Sequence, residues 1–559
     1  MIRRVRIAPA VLLSLLVSSP ASFAQTPAQI EAEEKADDSA ISLYEWGDPT
    51  SAQAQRTPGQ PLSLDQAIAL GLRNNLDVEV NRYTPYIGEL SAESAWGAYD
   101  PTFQGNVTYN NLVARNTFLQ NLNPVANSTD TDLGGNVGIN ALIPYWGASA
   151  RLSFNGNKYR TNSAIQAFNP RYDSGLTIGG TVPLMRGLIW NQAWTQVKSS
   201  RLSYDADLDN FTTSVMDTVQ TIISSYWNLV ATKEQVRVAE KSLESNQALL
   251  DQTKTQYDVG VVSKVEVVQA EAGVANSEFN LIVAQNTYSN AQDALIAAVL
   301  GDRLQAATTL TFDPTDSPEF TAVPPVDLNR AVETAFTNRP ELAASQRRLD
   351  QGEVQLKFAK NQRLPQVDVD MSYRTAGTDG QPTGAAAPGT PIGTFPDTFD
   401  TFYQSGGPQE LRVMGVVSIP LGNISGRKNV SIARIELRQA NTQITQLKQQ
   451  IIVNVRSAAR GMLAAAQGVE AAERGRIAAE EQLRAEKIRL EHGESTPFDV
   501  LQRESQLVTA ESQKIAALQS FRNSQATLER QQGTILETWD VKIDTVRALD
   551  YENPPTSPY

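Results

Sequence analysis

The residue types that most often do covalent chemistry are almost missing from this chain. Its 559 residues include one histidine, His492, and no cysteine. That excludes disulfides, thiolate nucleophiles and metal ligands, and a lipidated N-terminal cysteine, although export to an oxidising compartment would have permitted disulfides. A histidine-based metal centre would lack a second imidazole, and a Ser-His-Asp triad would have to be built on a residue beside Gly493 in an expected turn. A solvated loop histidine is the reading favoured for His492. No Gly-x-x-x-x-Gly-Lys-[ST] loop is present to cradle phosphates. Neither an enzyme nor a cofactor is expected.

Charge and export signals narrow the class further. The balance of 48 basic and 61 acidic residues gives a net charge of −13, which argues against nucleic acid as a partner. The chain opens with Arg3, Arg4 and Arg6, continues through the apolar stretch Ala10-Val11-Leu12-Leu13-Ser14-Leu15-Leu16-Val17, and reaches Ser22-Phe23-Ala24. This is the order of a secretory signal over 1–24. That apolar core is too short for a spanning helix, and no later window offers the roughly 18 consecutive apolar residues one needs. Any membrane crossing must therefore be made by β-strands.

The elements that position the remaining candidates come in two copies. Leu64-Asp65-Gln66-Ala67-Ile68, followed by Asn74-Asn75-Leu76-Asp77, matches Leu328-Asn329-Arg330-Ala331-Val332, followed by Asn338-Arg339-Pro340-Glu341, at an offset of 264. Thr181-Val182-Pro183-Leu184 matches Ser418-Ile419-Pro420-Leu421 at 237, because the first copy holds about 27 extra residues. Gly260 to Gln269 matches Gly493 to Gln502 at 233. Each copy reads as helix, strands, long helix, tight turn, helix.

Residues 102–110 alternate, with Phe103, Val107 and Tyr109 opposite Gln104, Asn106 and Thr108. Residues 366–374 do the same, with Val367, Val369, Met371 and Tyr373 on one face. A soluble sandwich and a membrane barrel both produce this pattern, so the strands alone do not choose. Further strands are expected near 133–143, 147–156 and 174–182. Residues 114–131 and 375–410 are long, Asn-, Thr-, Gly- and Pro-rich connections on one rim. No proline interrupts about 190–258 or about 427–491, so each stretch predicts a helix on the order of 100 Å long. In the second, Ile444, Leu447, Ile451, Val455, Ala458, Met462, Ala466 and Val469 recur at coiled-coil spacing. A plain periplasmic coiled coil competes at this level. Four to six strands cannot close a barrel alone, and an open sheet in lipid leaves backbone groups unsatisfied, so several chains must share one wall. Three copies give twelve strands, or eighteen if the hairpin around Pro144-Tyr145-Trp146-Gly147 joins. Tyr145, Trp146, Tyr159 and Tyr172 are candidates for an interfacial aromatic girdle.

In this combination the chain resembles the TolC-like outer-membrane efflux protein family. The marks are the duplicated Leu-x-x-Ala-[IV] helix with Asn-x-x-[DE] behind it, the Pro-Leu exit from the strands, and the Gly-x-x-x-x-x-[ED]-[VI]-[VL]-Gln turn. The resemblance runs from about 61 to 536. It implies a mixed α and β membrane protein: a trimeric outer-membrane β-barrel continued into the periplasm by a long α-helical barrel, with two internal repeats. The expected organisation is a signal peptide over 1–24, an extended leader over 25–60, a first repeat over 61–301 with strands within about 102–183, an equatorial linker over 302–326, a second repeat over 327–536 with strands within about 366–420, and a flexible tail over 537–559. The implied function is a passive exit duct of a tripartite efflux pump or type I secretion system. The implied partners are two further copies, a periplasmic adaptor, an inner-membrane transporter and outer-membrane lipid. A non-channel structural or adhesive coiled-coil envelope protein is the rival reading.

The resemblance also implies roles for the two turns. Asp499 falls on the family's ring aspartate at the periplasmic entrance, Glu266 is its first-repeat counterpart, and Gln502 stands where relatives often carry a second ring aspartate. Three copies of Glu266 and Asp499 would surround the opening with carboxylates that attract cations. Gly260, Val261, Lys264, Gly493 and Ser495 would form the tips that meet the adaptor. Ser495 and Leu490 replace the basic and aromatic residues of the gate lock found in some relatives, which puts that lock in doubt here. The competing reading makes Glu266 and Asp499 ordinary helix-start acids favoured by the helix dipole.

Overall fold

The computed structural model describes residues 60–115, 127–163, 166–301, 311–317, 326–403 and 408–543. The expected signal peptide, the leader up to residue 59, most of the linker and the tail from 544 lie outside them. The chain divides into two compact units. In the described part of the smaller one, β1 (Gln60–Leu62) pairs in parallel with β6 (Phe312–Pro314). The expected linker thus contributes a short strand.

The larger unit holds a sheet and the long helices. α1 (Leu64–Asn74) is closed at its start by a capping box between Ser63 and Gln66. α2 (Leu76–Ser94) begins on Asn75, whose side chain accepts from the N–H groups of Asp77 and Val78 and donates to the Ala298 carbonyl. α3 (Gln192–Asp258) and α4 (Lys264–Leu300) form one hairpin, and α7 (Ile424–Glu491) and α8 (Pro497–Gln532) form another. Between them in sequence come α5 (Leu328–Asn338) and α6 (Pro340–Gln362). With 67 and 68 residues, α3 and α7 are each about 100 Å long at the rise of an α-helix. The absence of proline foretold both.

Packing follows the apolar rows. Tyr226, Ile222, Ile223 and Leu229 of α3 are buried with Leu295 and Val299 of α4. α1 packs on both, and a β-carbon at Gly71 would collide with Ile222. The α7 seam is used in segments. Ile451 and Val455 cluster with Ala331 and Ala335 of α5, while Met462, Ala466 and Val469 cluster with Leu518, Phe521 and Leu528 of α8.

The six strands β2 (Thr102–Arg115), β3 (Asn127–Leu142), β4 (Ser149–Thr161), β5 (Phe168–Pro183), β7 (Gln366–Pro382) and β8 (Gln409–Ser418) form a single antiparallel sheet in that order. The strands outrun their expected limits at the loop end. Their outer residues, such as Asn127 to Asp132, are polar on both faces and carry no alternation. Ladder pairing, not side-chain pattern, extends them. Register makes the two faces chemically distinct. Phe103, Ile139, Leu152, Ile178, Tyr373 and Leu411 form one row across all six strands. The neighbouring row on the opposite face is Thr102, Asn140, Arg151, Gly179, Ser372 and Arg412.

Aromatic groups lie towards both ends of the sheet. Tyr145 in the β3–β4 turn packs edge-on to Trp194 of α3, with ring centres 4.7 Å apart, and Trp96 meets the same indole at 6.0 Å. From the other end, the helical turns of 396–403 fold back onto the apolar face as far as mid-strand, where Phe399 stacks on Phe154 and Phe395 meets Tyr172. Tyr159 departs from the girdle expectation. Its register partner is Asp132 and its hydroxyl donates to Asp130, which puts it on the polar face.

One buried ion cluster ties three helices together. Arg530 of α8, with a 5% exposed side chain, donates through Nε to Asp217 of α3 at 2.6 Å and through Nη2 to Glu341 of α6 at 2.8 Å. Arg339 holds the same Glu341 carboxylate at 3.0 Å and also donates to Gln531. Burial pushes the Glu341 carboxyl up, but the two guanidinium groups outweigh it and hold the group at about 2, against an ordinary 4.5. Stability from this group is therefore complete above pH 4.5 and is lost as pH falls from about 4.5 to about 2. At about 1.4 kcal/mol per unit, the contribution has an upper bound of about 3 kcal/mol. Glu341→Gln is expected to flatten the acid limb of unfolding in detergent. An unchanged slope of melting temperature against pH would show that the cluster contributes nothing there.

Candidate functional site

The two helix hairpins end in turns built to one plan. α3 ends on Gly260, whose φ is +80°, and α7 ends on Gly493 at +74°. In the first turn the Val261 N–H donates to the Gln256 carbonyl and the Gly260 N–H to that of Tyr257. In the second, Glu494 donates to Arg489 and Gly493 to Leu490. This paired hydrogen bonding closes a helix C-terminus and requires the left-handed residue that glycine supplies. The chain then restarts on capping boxes. The Ser263 N–H donates to the Glu266 carboxylate at 2.5 Å, and the Thr496 hydroxyl donates to Asp499 at 2.7 Å.

Both candidate ring acids are thus third residues of capping boxes, with carboxylates turned towards their own turns. This is the geometry of the helix-start reading, and it leaves oxygen lone pairs facing solvent. The Thr496 hydroxyl bond is the main influence holding the Asp499 carboxyl below its ordinary value, with Arg489 and Arg503 adding to it. Just behind the acids the two returning helices meet, since a β-carbon at Gly273 of α4 would lie 2.8 Å from the Leu501 side chain of α8. Val261 is 72% exposed at the tip. Lys264 and Gln502 are exposed as well.

Ser495 and Leu490 have other tasks in this chain. Leu490 is buried with Leu249, Leu483 and Val500, which seals the hairpin interior. The Ser495 hydroxyl donates to Glu486 at 2.5 Å. Glu486 is only 7% exposed and also receives Arg489 at 3.4 Å and faces the Arg503 Nε at 3.7 Å. One buried carboxylate therefore gathers the end of α7, the turn and the start of α8. Sequence reasoning missed it, because Glu486 sits in a run of alternating charges resembling any solvated helix face. The signal was its place between Leu483 and Leu490 on the apolar seam. Farther from the tip, Lys487 donates to Ser245 of α3 at 3.1 Å and lies 3.9 Å from the buried Glu504, whose carboxyl burial pushes up. Among the described residues there is no group of histidine, cysteine or carboxylate side chains able to hold a metal ion, and no helix long and apolar enough to cross a membrane.

The comparisons with known proteins bear on family and fold. A family model described as outer membrane efflux protein matches residues 140–301 and 331–534. The pyoverdine export outer membrane protein OpmQ of Pseudomonas putida is 23% identical over 252 residues, which is 44% of this chain and 47% of that protein. The chain thus spans about half the length of this curated relative. Among solved structures, the CmeC outer membrane channel of Campylobacter jejuni superposes with a TM-score of 0.58 at 15% identity, covering 84% of this chain and 86% of that one. The outer-membrane channel OprN gives 0.60 at 17% identity, covering 84% and 89%. The outer membrane protein VceC of Vibrio cholerae gives 0.58 at 15%, covering 84% and 96%. These are likenesses of fold.

Removing the charge of Glu486 is expected to loosen the turn. Glu486→Gln should accelerate tryptic cleavage after Arg489, and adding Arg503→Gln should produce less than the sum of the two single effects, since the residues share one cluster. Equal cleavage rates in all variants would show that the cluster does not hold the tip.

Proposed function

This chain belongs to the outer membrane efflux protein family, and we propose that three copies form the passive exit duct of a tripartite efflux pump. Its place is the outer membrane, with extension into the periplasm, and its fold combines helices and sheet as in TolC-like channels. The proposal adds the trimer, the closed barrel, the two internal repeats and the working partners. In that reading, the domain organisation follows the expected boundaries.

The observation that carries it is the two-faced sheet. Phe103, Ile178 and Leu411 belong to one apolar row and stand open in the single chain, at 72%, 49% and 74% exposure. Such a row faces lipid in a closed barrel while the polar row lines water. β2 and β8 are edge strands, each with one partner. They run in opposite directions, so β8 of one copy can pair antiparallel with β2 of the next. Closing the ring of copies satisfies every edge. A second uncovered stripe lies on α2, where Leu76, Val80, Tyr83, Ile87 and Leu90 are exposed at spacings of three and four. It fits the side of a neighbouring copy.

The paired tips at 258–265 and 491–498 are the surface for a periplasmic adaptor, and an inner-membrane transporter supplies the energy. A duct has no energy-coupling site of its own. Likeness to a pyoverdine exporter supports export of small molecules over secretion of proteins by a type I system. Glu266 and Asp499 contribute the charge at the entrance and Gln502 lines it without charge.

Reconstituted protein is expected to form cation-preferring pores in planar bilayers, and Asp499→Asn should lower that preference. The wild-type preference should persist into acid where an ordinary aspartate would lose its charge, because the Asp499 carboxyl is held low. An absence of conductance from correctly folded protein would overturn the duct. An unchanged selectivity in Asp499→Asn would overturn only the ring.

A further inference from the structure

The first copy exceeds the second by one hairpin, β3–β4, and the strands on either side pair with it along its length. Its strands have 16 and 13 residues, enough for the roughly 9–11 residues of a membrane strand. Pairing is continuous from Thr102–Asn140 in β2–β3, through Asn140–Arg151 in β3–β4, to Arg151–Gly179 in β4–β5. Ile139 and Leu152 complete the apolar row and Asn140 and Arg151 complete the polar row, so the hairpin obeys the alternation of its neighbours on both faces. A loop laid over the barrel or across its mouth would have no reason to do so.

Two contacts fix the hairpin to elements on either side. On the polar face the Arg151 guanidinium reaches across β5 to Asp370 of β7 at 3.0 Å, and Thr181 donates to the same carboxylate at 2.8 Å. The crossing passes over Gly179, where a β-carbon would lie 3.2 Å from the Arg151 Nε. At the helix end, the turn carries Tyr145 at φ +70° and Gly147 at φ +60°. A β-carbon at Gly147 would collide with the Gly187 carbonyl, and the Tyr145 ring rests on Trp194.

We propose that β3–β4 is inserted in the membrane wall, so that three copies close an eighteen-stranded barrel and not a twelve-stranded one. The inference rests on the trimeric duct proposed above. Strands about 4.8 Å apart and tilted about 40° enclose a cylinder roughly 24 Å across with twelve strands and roughly 36 Å across with eighteen. The cylinder at the outer exit is therefore about half again as wide.

The chain has no native cysteine, so introduced ones report without background. Leu152→Cys with Ile178→Cys is expected to form a disulfide in native outer membranes. Phe103→Cys with Ile178→Cys is expected not to, because two strands separate them. Bridging of the second pair and not the first would restore the twelve-stranded wall and overturn the proposal. Spin labels at Val137 and Leu152 should show the high oxygen and low nickel-chelate accessibility of lipid-facing sites, equal to labels at Val107 and Val413. Lipid exposure at Val107 and Val413 without it at Val137 and Leu152 removes the hairpin from the wall while the duct stands. Failure at all four sites, or a native mass other than three copies, overturns the duct and the eighteen strands with it.

Discussion

A peptide group in hydrocarbon has nowhere to turn for a hydrogen bond except to another peptide group, and the architecture of this protein follows from that constraint. The sheet meets it internally for every strand except its two outer ones, β2 and β8. Because the strands alternate in direction and number six, those outer strands are antiparallel complements of each other. The same chain repeated in a ring can then leave no edge. A sheet with an odd number of strands per copy would present edges running the same way, and joining them would break the antiparallel order.

The helical part answers a different demand, since it stands in water and is not forced to bury its backbone. Its packing is made from small residues and short apolar segments. Ala331, Ala335, Ala459 and Ala466 let helices lie close, and individual clusters hand over from α5 to α8 along α7. Polar ties are placed where helices of distant sequence meet, as in Asp217–Arg530–Glu341. Arg530 is too buried to be left alone, and each of its partners comes from a different helix. Loss of one partner would leave charge stranded in the interior.

Much of the fold was legible in the sequence because it depends on local rules. The rods announce themselves by the stretches without proline, and the observed limits at 192, 258 and 491 lie close to the expected ones. Gly260 and Gly493 are legible as turns, since only a residue tolerant of positive φ closes both helices this way. Alternation exposed the strands where one face is apolar and hid them where both are polar, which is why β3 begins six residues before its expected start. The candidate site was less legible. The sequence showed that Glu266 and Asp499 stand at helix starts, but a capping box and a pore ring ask for the same residue at the same place. Glu486 and Arg530 went unseen because their significance is burial among partners far away in the chain, and periodicity within one helix carries no information about that.

The fixed geometry of the tips has a mechanical side. Each turn is locked by paired backbone bonds on the departing helix and a capping box on the returning one, so a hairpin has no soft joint at its free end. In the proposed duct, movement at the entrance would then originate elsewhere and arrive by leverage. The helix rises through 31 residues from Asp499 to Arg530, roughly 47 Å, so a pivot of about 5° at the cluster swings the tip by roughly 4 Å. In a ring of three such tips a displacement of that size would decide whether a hydrated ion fits, and it would need no helix to unwind.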